Sequence, residues 1–236
     1  MYAGHAHKGL AGVTIKDDAV VYVHDNYDGI GSADSTSNNT SGKVEYSSIE
    51  GGIIDVRNNL NGINTGTISG GSINLTENGN GMATVLVDGT ADITLTNHVW
   101  YQPGQTYTYY TITGATINSF EKLIINNNFS SINNTKLNTA IEVTGRGYTT
   151  GNGIKNSQII NDVKLSKHSL GLFFQGGFTE SSTSGIFGGN IELLNCTYAL
   201  FAGSDRGIAY DGPGMTDGIV TVHDCKYGIY TQASCR

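Results

Sequence analysis

The chain has 236 residues and a formal charge of −7, with 14% charged residues against an ordinary share of about 25%. Its 13 basic residues are scattered, with no basic stripe interleaved with aromatics, which argues against a nucleic-acid partner. No apolar run reaches the ~18 residues of a membrane span. Glycine fills 33 positions and proline 2, and Asn, Ser and Thr stand where a cytosolic enzyme would carry Lys and Glu. These residues are poor helix formers, and no stretch keeps a 3.6-residue apolar period over three turns. Short apolar triplets broken by Gly and Asn predict an all-β chain with many turns.

Residues 1–43 read as an extended, loop-rich N-terminal segment. Met1 to His7 lack the apolar core of a signal peptide. Either secretion information has been removed, or the protein leaves its cell by another route, such as release with a virus particle. His5 and His7 share one face of an extended segment, but two ligands from one chain are too few for an ion, although a threefold axis would supply six. No metal or cofactor is predicted. Ser32 to Ser41 is a polar loop by composition.

From residue 44 the chain reads as a stack of coils. Gly51-Gly52-Ile53-Ile54-Asp55-Val56 recurs as Gly70-Gly71-Ser72-Ile73-Asn74-Leu75 and again as Ala91-Asp92-Ile93-Thr94-Leu95. Ile54, Ile73 and Ile93 stand at offsets of 73 − 54 = 19 and 93 − 73 = 20. Trp100-Tyr101-Gln102-Pro103-Gly104-Gln105-Thr106-Tyr107-Thr108-Tyr109-Tyr110 is the densest aromatic run, suited to a glycan platform or a subunit contact. Leu123-Ile124-Ile125 is a further triplet, and the period between Ile93 and Val163 is irregular. Beyond it, Val163–Phe173, Ile191–Phe201 and Val220–Tyr230 align without gaps, at offsets of 191 − 163 = 28 and 220 − 191 = 29. Leu172, Leu200 and Ile229 share a column, as do Phe173, Phe201 and Tyr230, and Gly171, Ala199 and Gly228.

One triplet buries almost nothing alone. Stacked at about 4.8 Å, each inward residue packs on its equivalents above and below. Three short strands and three corners account for offsets of this size, the longer ones where a corner bulges. Asn at a corner tolerates left-handed backbone and bonds its neighbour in a ladder. Asn195 with Asp224, and Cys196 with Cys225, fit such ladders. Cys196, Cys225 and Cys235 are odd in number and lack CxxC spacing, so they read as small buried residues. His168 falls in the Cys196 column and reads as structural. A β-sandwich would instead show hairpin turns every 8–12 residues or so. The predicted fold is therefore an all-β, right-handed, single-stranded parallel β-helix over residues 44–236, with no amphipathic capping helix after Tyr230.

The triplet, polar corner, small residue and Tyr227-Gly228-Ile229-Tyr230 run resemble the pectin-lyase-like right-handed β-helix superfamily over roughly residues 44–230. In its Asn/Thr/Gly-rich composition the chain is nearest in character to the glycan-binding shafts of phage tailspikes. That resemblance implies a protein that binds or cleaves polysaccharide as a lyase or hydrolase. It also implies a homotrimer located outside the cell, on a virion tail. The calcium and arginine arrangement of the pectate lyases is not recognisable.

Two long loops, Gln175–Gly185 and Gly203–Gly214, leave adjacent coils at one corner and should wall a groove. The first carries Phe178 and Glu180, the second Asp205, Arg206, Tyr210 and Asp211. Aromatic rings stack on the apolar face of a pyranose, while acids bond its hydroxyls or do acid/base work. Carboxylates one coil apart lie about 5 Å from each other, the spacing of a retaining glycosidase. Glu180 with Asp205 or Asp211 is the candidate catalytic set. Arg206, Tyr210, Phe178, Trp100 and Tyr101 are the candidate substrate contacts. Two alternatives stand beside a depolymerase that binds bacterial surface polysaccharide: a non-enzymatic surface adhesin, and a secreted polysaccharide lyase.

Overall fold

The computed structural model describes residues 8–33, 45–98, 109–147, 151–175, 184–203 and 217–231. Every strand ladder in them is parallel; the sole antiparallel pairing among the described residues is an isolated bridge between Ala33 and Glu45. None of the described residues is helical, so no helix is long and apolar enough to cross a membrane. The fold is a parallel β-helix, in which each coil hydrogen-bonds to the next. By its internal contacts the chain divides into two units, residues 1–124 and 125–236.

In the first unit, Val20–His24, Ile53–Arg57, Ser72–Thr76 and Asp92–Thr96 form one sheet in unbroken register. Val21, Ile54, Ile73 and Ile93 share a column, and the latter three are buried, as their even spacing requires. The parallel pairing begins at Lys8–Ala11, which pairs with Asp28–Gly31. Asn61–Ile68 and Asn80–Asp88 then pair along their whole length. Both long strands bend midway, at Thr65 (φ 63°) and Thr84 (φ 55°), so each supplies two sides of its coil. Three corners per coil result: Asp25, Asn58, Glu77 and Asn97 at the first, Gly12, Thr65, Thr84 and Gly114 at the second, and Gly52 and Gly71 at the third, all with positive φ. Asx side chains and glycine tolerate this region; a β-branched threonine does so only under constraint from its surroundings.

The residue after the first corner turns inward and builds a ladder. Asn78 Oδ1 accepts from the Asn59 backbone N–H (2.9 Å) and from Asn59 Nδ2 (3.0 Å), while Asn78 Nδ2 donates to the Val56 carbonyl (2.9 Å). Asn59 Oδ1 accepts from the Asn26 backbone N–H in the same way (2.9 Å). In the next coil His98 takes this place, with Nδ1 2.9 Å from the Asn78 carbonyl and Nε2 3.0 Å from that of Leu75.

In the second unit, the part of the strand Lys122–Asn128 from Ile125 onward and the strands Ile141–Gly145, Val163–Ser166, Asn190–Leu194 and Ile219–His223 form the corresponding sheet. Ile125, Val143, Leu165, Leu193 and Val222 share a column. The irregular region therefore resolves into steps of 143 − 125 = 18 and 165 − 143 = 22, followed by the longer steps of 28 and 29. The three aligned segments pair as their repeat requires: Val163 with Ile191 and Val220, Leu172 with Leu200 and Ile229, Phe173 with Phe201 and Tyr230. Asn127, Lys167, Asn195 and Asp224 hold the left-handed first corner. Behind it stand Asn128, His168, Cys196 and Cys225, of which the first three are buried. The Cys196 backbone N–H reaches Cys225 Sγ at 3.3 Å, and both thiols are free.

Candidate functional site

The side of the second unit running from the first corner to the second comprises Asn152–Lys155, Leu170–Gln175, Tyr198–Gly203 and Tyr227–Thr231. Strict alternation would put Tyr198 and Phe201 on opposite faces. Here it breaks, because two successive residues face inward. A Cβ at Gly153 would meet Leu165 Cδ1 at 2.5 Å, yet the following Ile154 is also fully buried. Gly171 with Leu172 repeats the arrangement one coil on: a Cβ at Gly171 would meet Cys196 Sγ at 3.3 Å, and Leu172 is fully buried. The residues flanking such a pair therefore emerge on one side together.

Five rings meet there. Tyr198 stacks on Tyr227 with centroids 4.7 Å apart and planes 18° from parallel. Phe201 stacks on Tyr230 at 5.3 Å and 23°, and meets Phe173 edge-on at 5.2 Å. Tyr198 ties the two columns together, edge-on to Phe201 at 5.9 Å and to Tyr230 at 5.2 Å. Lys155 Nζ lies 5.2 Å from the Phe173 centroid and Lys226 Nζ 5.2 Å from that of Tyr227. The coil spacing of about 4.8 Å is itself near the optimum for offset stacking, so identical positions in successive coils bring rings into contact without further adjustment. Tyr227 and Tyr230 remain 42% and 39% exposed. The result is a band of ring faces and edges flanked by two ammonium groups.

The band runs into the stems of both long loops. Gln175 and Gly203, the last described residues before residues 176–183 and 204–216, are paired partners in adjacent strands. Phe178 and Glu180 in the first loop, and Asp205, Arg206, Tyr210 and Asp211 in the second, lie outside the described residues, as do Trp100, Tyr101, His5 and His7. Residues 99–108 follow His98, just after the first corner at Asn97, whereas residues 176–183 and 204–216 follow the ends of Leu170–Gln175 and Tyr198–Gly203.

The sequence reading found the Phe173/Phe201/Tyr230 column but not the ladder. Tyr198 and Tyr227 sit three residues before Phe201 and Tyr230, and the doubled inward pair that brings them to one side leaves no period-2 signature. A Gly or Ala followed by an aliphatic residue between two aromatics was the available signal. His168, by contrast, is where its column placed it. It is fully buried with Nε2 2.9 Å from Ser131 Oγ, and burial pushes its imidazole down to about 4 against the opposing influence of the Ser166 carbonyl. Cys196 is likewise inert, its thiol pushed up to about 11 chiefly by burial. At neutral pH the imidazole is therefore uncharged and the thiol protonated. Comparison with known proteins finds no matching family model, no matching curated protein and no matching solved structure.

Proposed function

We propose that the chain is a receptor-binding β-helix of the phage-tailspike kind, related to the pectin-lyase-like superfamily, acting outside the cell on a virion tail as a homotrimer and binding bacterial surface polysaccharide. The observation that carries this reading is the five-ring ladder of Phe173, Tyr198, Phe201, Tyr227 and Tyr230 beside the paired stems of two long loops. Tyr227 and Tyr230, the exposed rings of the ladder, offer apolar surface to the apolar face of a sugar ring. Tyr hydroxyls and the Lys155 and Lys226 ammonium groups supply polar contacts at the margin. In this reading Glu180, Asp205 and Asp211 would cut the bound chain, with Arg206, Tyr210, Phe178, Trp100 and Tyr101 as further substrate contacts.

The test is an array of bacterial capsule and O-antigen polysaccharides probed with the wild-type chain and with Tyr227→Ala and Phe201→Ala. We expect retention of a subset of glycans by wild type and about a tenfold or greater loss in each variant, at unchanged circular dichroism. Release of oligosaccharides that stops in Asp205→Asn or Asp211→Asn would add depolymerase activity. Equal retention by wild type and both ladder variants would sink the site. One observation favours the adhesive, non-enzymatic reading: every ring of the ladder already packs on another ring, so stacking of successive coils accounts for it without a ligand. Ladder variants that lose several kcal/mol of stability while no glycan binds wild type would decide for that reading.

A further inference from the structure

A second group of side chains converges in the first unit and shares no residue with the aromatic ladder. On the outward face of the Val20–His24 sheet, register aligns Tyr22 with Asp55, Asn74 and Thr94, and His24 with Arg57, Thr76 and Thr96. Tyr22, Val23, His24, Asp55, Arg57 and Asn58 line an open depression of about 410 Å³.

The polar capacity of this depression is lopsided. Asp55 is committed on both oxygens: Oδ2 accepts from Arg57 Nη2, and Oδ1 accepts from Asn74 Nδ2 at 3.3 Å. Arg57 has more to give. A guanidinium carries five N–H donors in a planar fork, and this side chain is 53% exposed. Asp55 fixes one limb of the fork and so orients the rest. His24 is oriented too, with Nδ1 2.7 Å from Asp25 Oδ2. Tyr22, 70% exposed, presents a bare ring beside these groups. Donors backed by acceptors that are already engaged, next to an exposed ring, suit a ligand that is anionic at one edge and apolar on one face.

We propose that this depression binds an anionic sugar residue, with the Arg57 guanidinium pairing with its carboxylate or phosphate and the Tyr22 ring lying against the apolar face of the pyranose. Bidentate pairing with a planar fork is the geometry arginine supplies and lysine does not. The site is built from sheet residues in fixed register, so it is formed before the ligand arrives. It does not depend on the ladder binding glycan.

The experiment is calorimetric titration of the full chain with a hexuronate trisaccharide, a phosphorylated trisaccharide and neutral maltotriose. We expect at least one anionic probe to bind about tenfold or more tightly than maltotriose, and the identity of that probe distinguishes carboxylate from phosphate as the recognised group. Arg57→Gln should abolish the preference and Arg57→Lys restore only part of it. Tyr22→Ala should weaken the bound probe by about tenfold. Glu142→Gln, an exposed position in Ile141–Gly145 that belongs to neither site, should leave it unchanged, and Tyr227→Ala is titrated alongside to separate the depression from the ladder. All these side chains are exposed, and circular dichroism checks that each variant is folded. Equal affinity for anionic and neutral probes, no binding of either anionic probe, or a preference that survives Arg57→Gln would overturn the proposal. Loss of anionic-probe binding in Tyr227→Ala but not in Arg57→Gln would move that binding to the ladder.

Discussion

His98 and His168 show how much a single buried ring sets the acid response of this fold. Both imidazoles are held near pKa 4 in the folded chain, first by burial, against an ordinary value of 6.5. Between those values the unfolded chain binds the proton and the folded chain does not. Stability is therefore full above about pH 6.5, falls as the pH drops towards 4, and levels off once the folded ring also protonates. The difference, 6.5 − 4 ≈ 2.5, corresponds to about 3 kcal/mol for each ring. His168→Asn places at this corner the residue type that Asn59 and Asn78 supply at the equivalent corner elsewhere, and it removes one titrating group. Urea unfolding at pH 7 and pH 4.5 should show the variant losing less stability on acidification than wild type. An identical acid loss in the two proteins would mean that His168 is protonated in the folded chain after all.

At the level of the element, the corner ladder does what a lone turn cannot. Asn78 satisfies an N–H and a carbonyl of the coil beside it, and Asn59 a carbonyl of its own coil and an N–H of its neighbour, so the Asn26 and Asn59 backbone N–H groups are not stranded where the chain bends inward. Asn78→Ala strips the acceptor from the buried Asn59 backbone N–H and the donor from the Val56 carbonyl. It should cost about 3 kcal/mol, read as a lowered urea midpoint at unchanged slope. A midpoint within error of wild type would show that water replaces the amide. The core columns were legible in the sequence because their spacing is nearly constant: Ile54, Ile73 and Ile93 announce themselves, and so do Leu172, Leu200 and Ile229, whereas the Asn59–Asn78 ladder was not read. Val20–His24 was harder to see, because the step from Val21 to its partner Ile54 (54 − 21 = 33) is far longer than the two that follow it. Ile141–Gly145 was hidden differently: Gly145 stands where other coils carry a polar corner, so the triplet lacked its punctuation. The aromatic ladder was only half visible, because pairing of rings three residues apart follows from backbone geometry at Gly153 and Gly171 and not from a repeat of residue type. The Tyr22–Arg57 depression could not be read at all without the register that seats Tyr22 beside Asp55 across that same long step.

For the whole molecule, a coil that contacts only its neighbours should be removable as a unit. Deleting residues 53–71 joins Gly52 to Ser72, and Ser72 is the register partner of the deleted Ile53. Every strand of the following coil would then meet the partner its predecessor had. We expect this shortened chain to fold with a strand-type circular dichroism spectrum and a cooperative transition. Deleting 53–62, half a coil, puts a strand of one side against the wrong partner and should leave an aggregating chain. If both deletions fold, or neither does, the coil is not the folding unit. The same arrangement explains how successive coils of the second unit lengthen without disturbing Ile125, Val143, Leu165, Leu193 and Val222. The strands that flank residues 176–183 and 204–216 keep their pairing, Gln175 opposite Gly203. Heritable change in length and composition can therefore accumulate between paired strands at almost no cost to the interior, so that one frame admits new surface while its core stays the same.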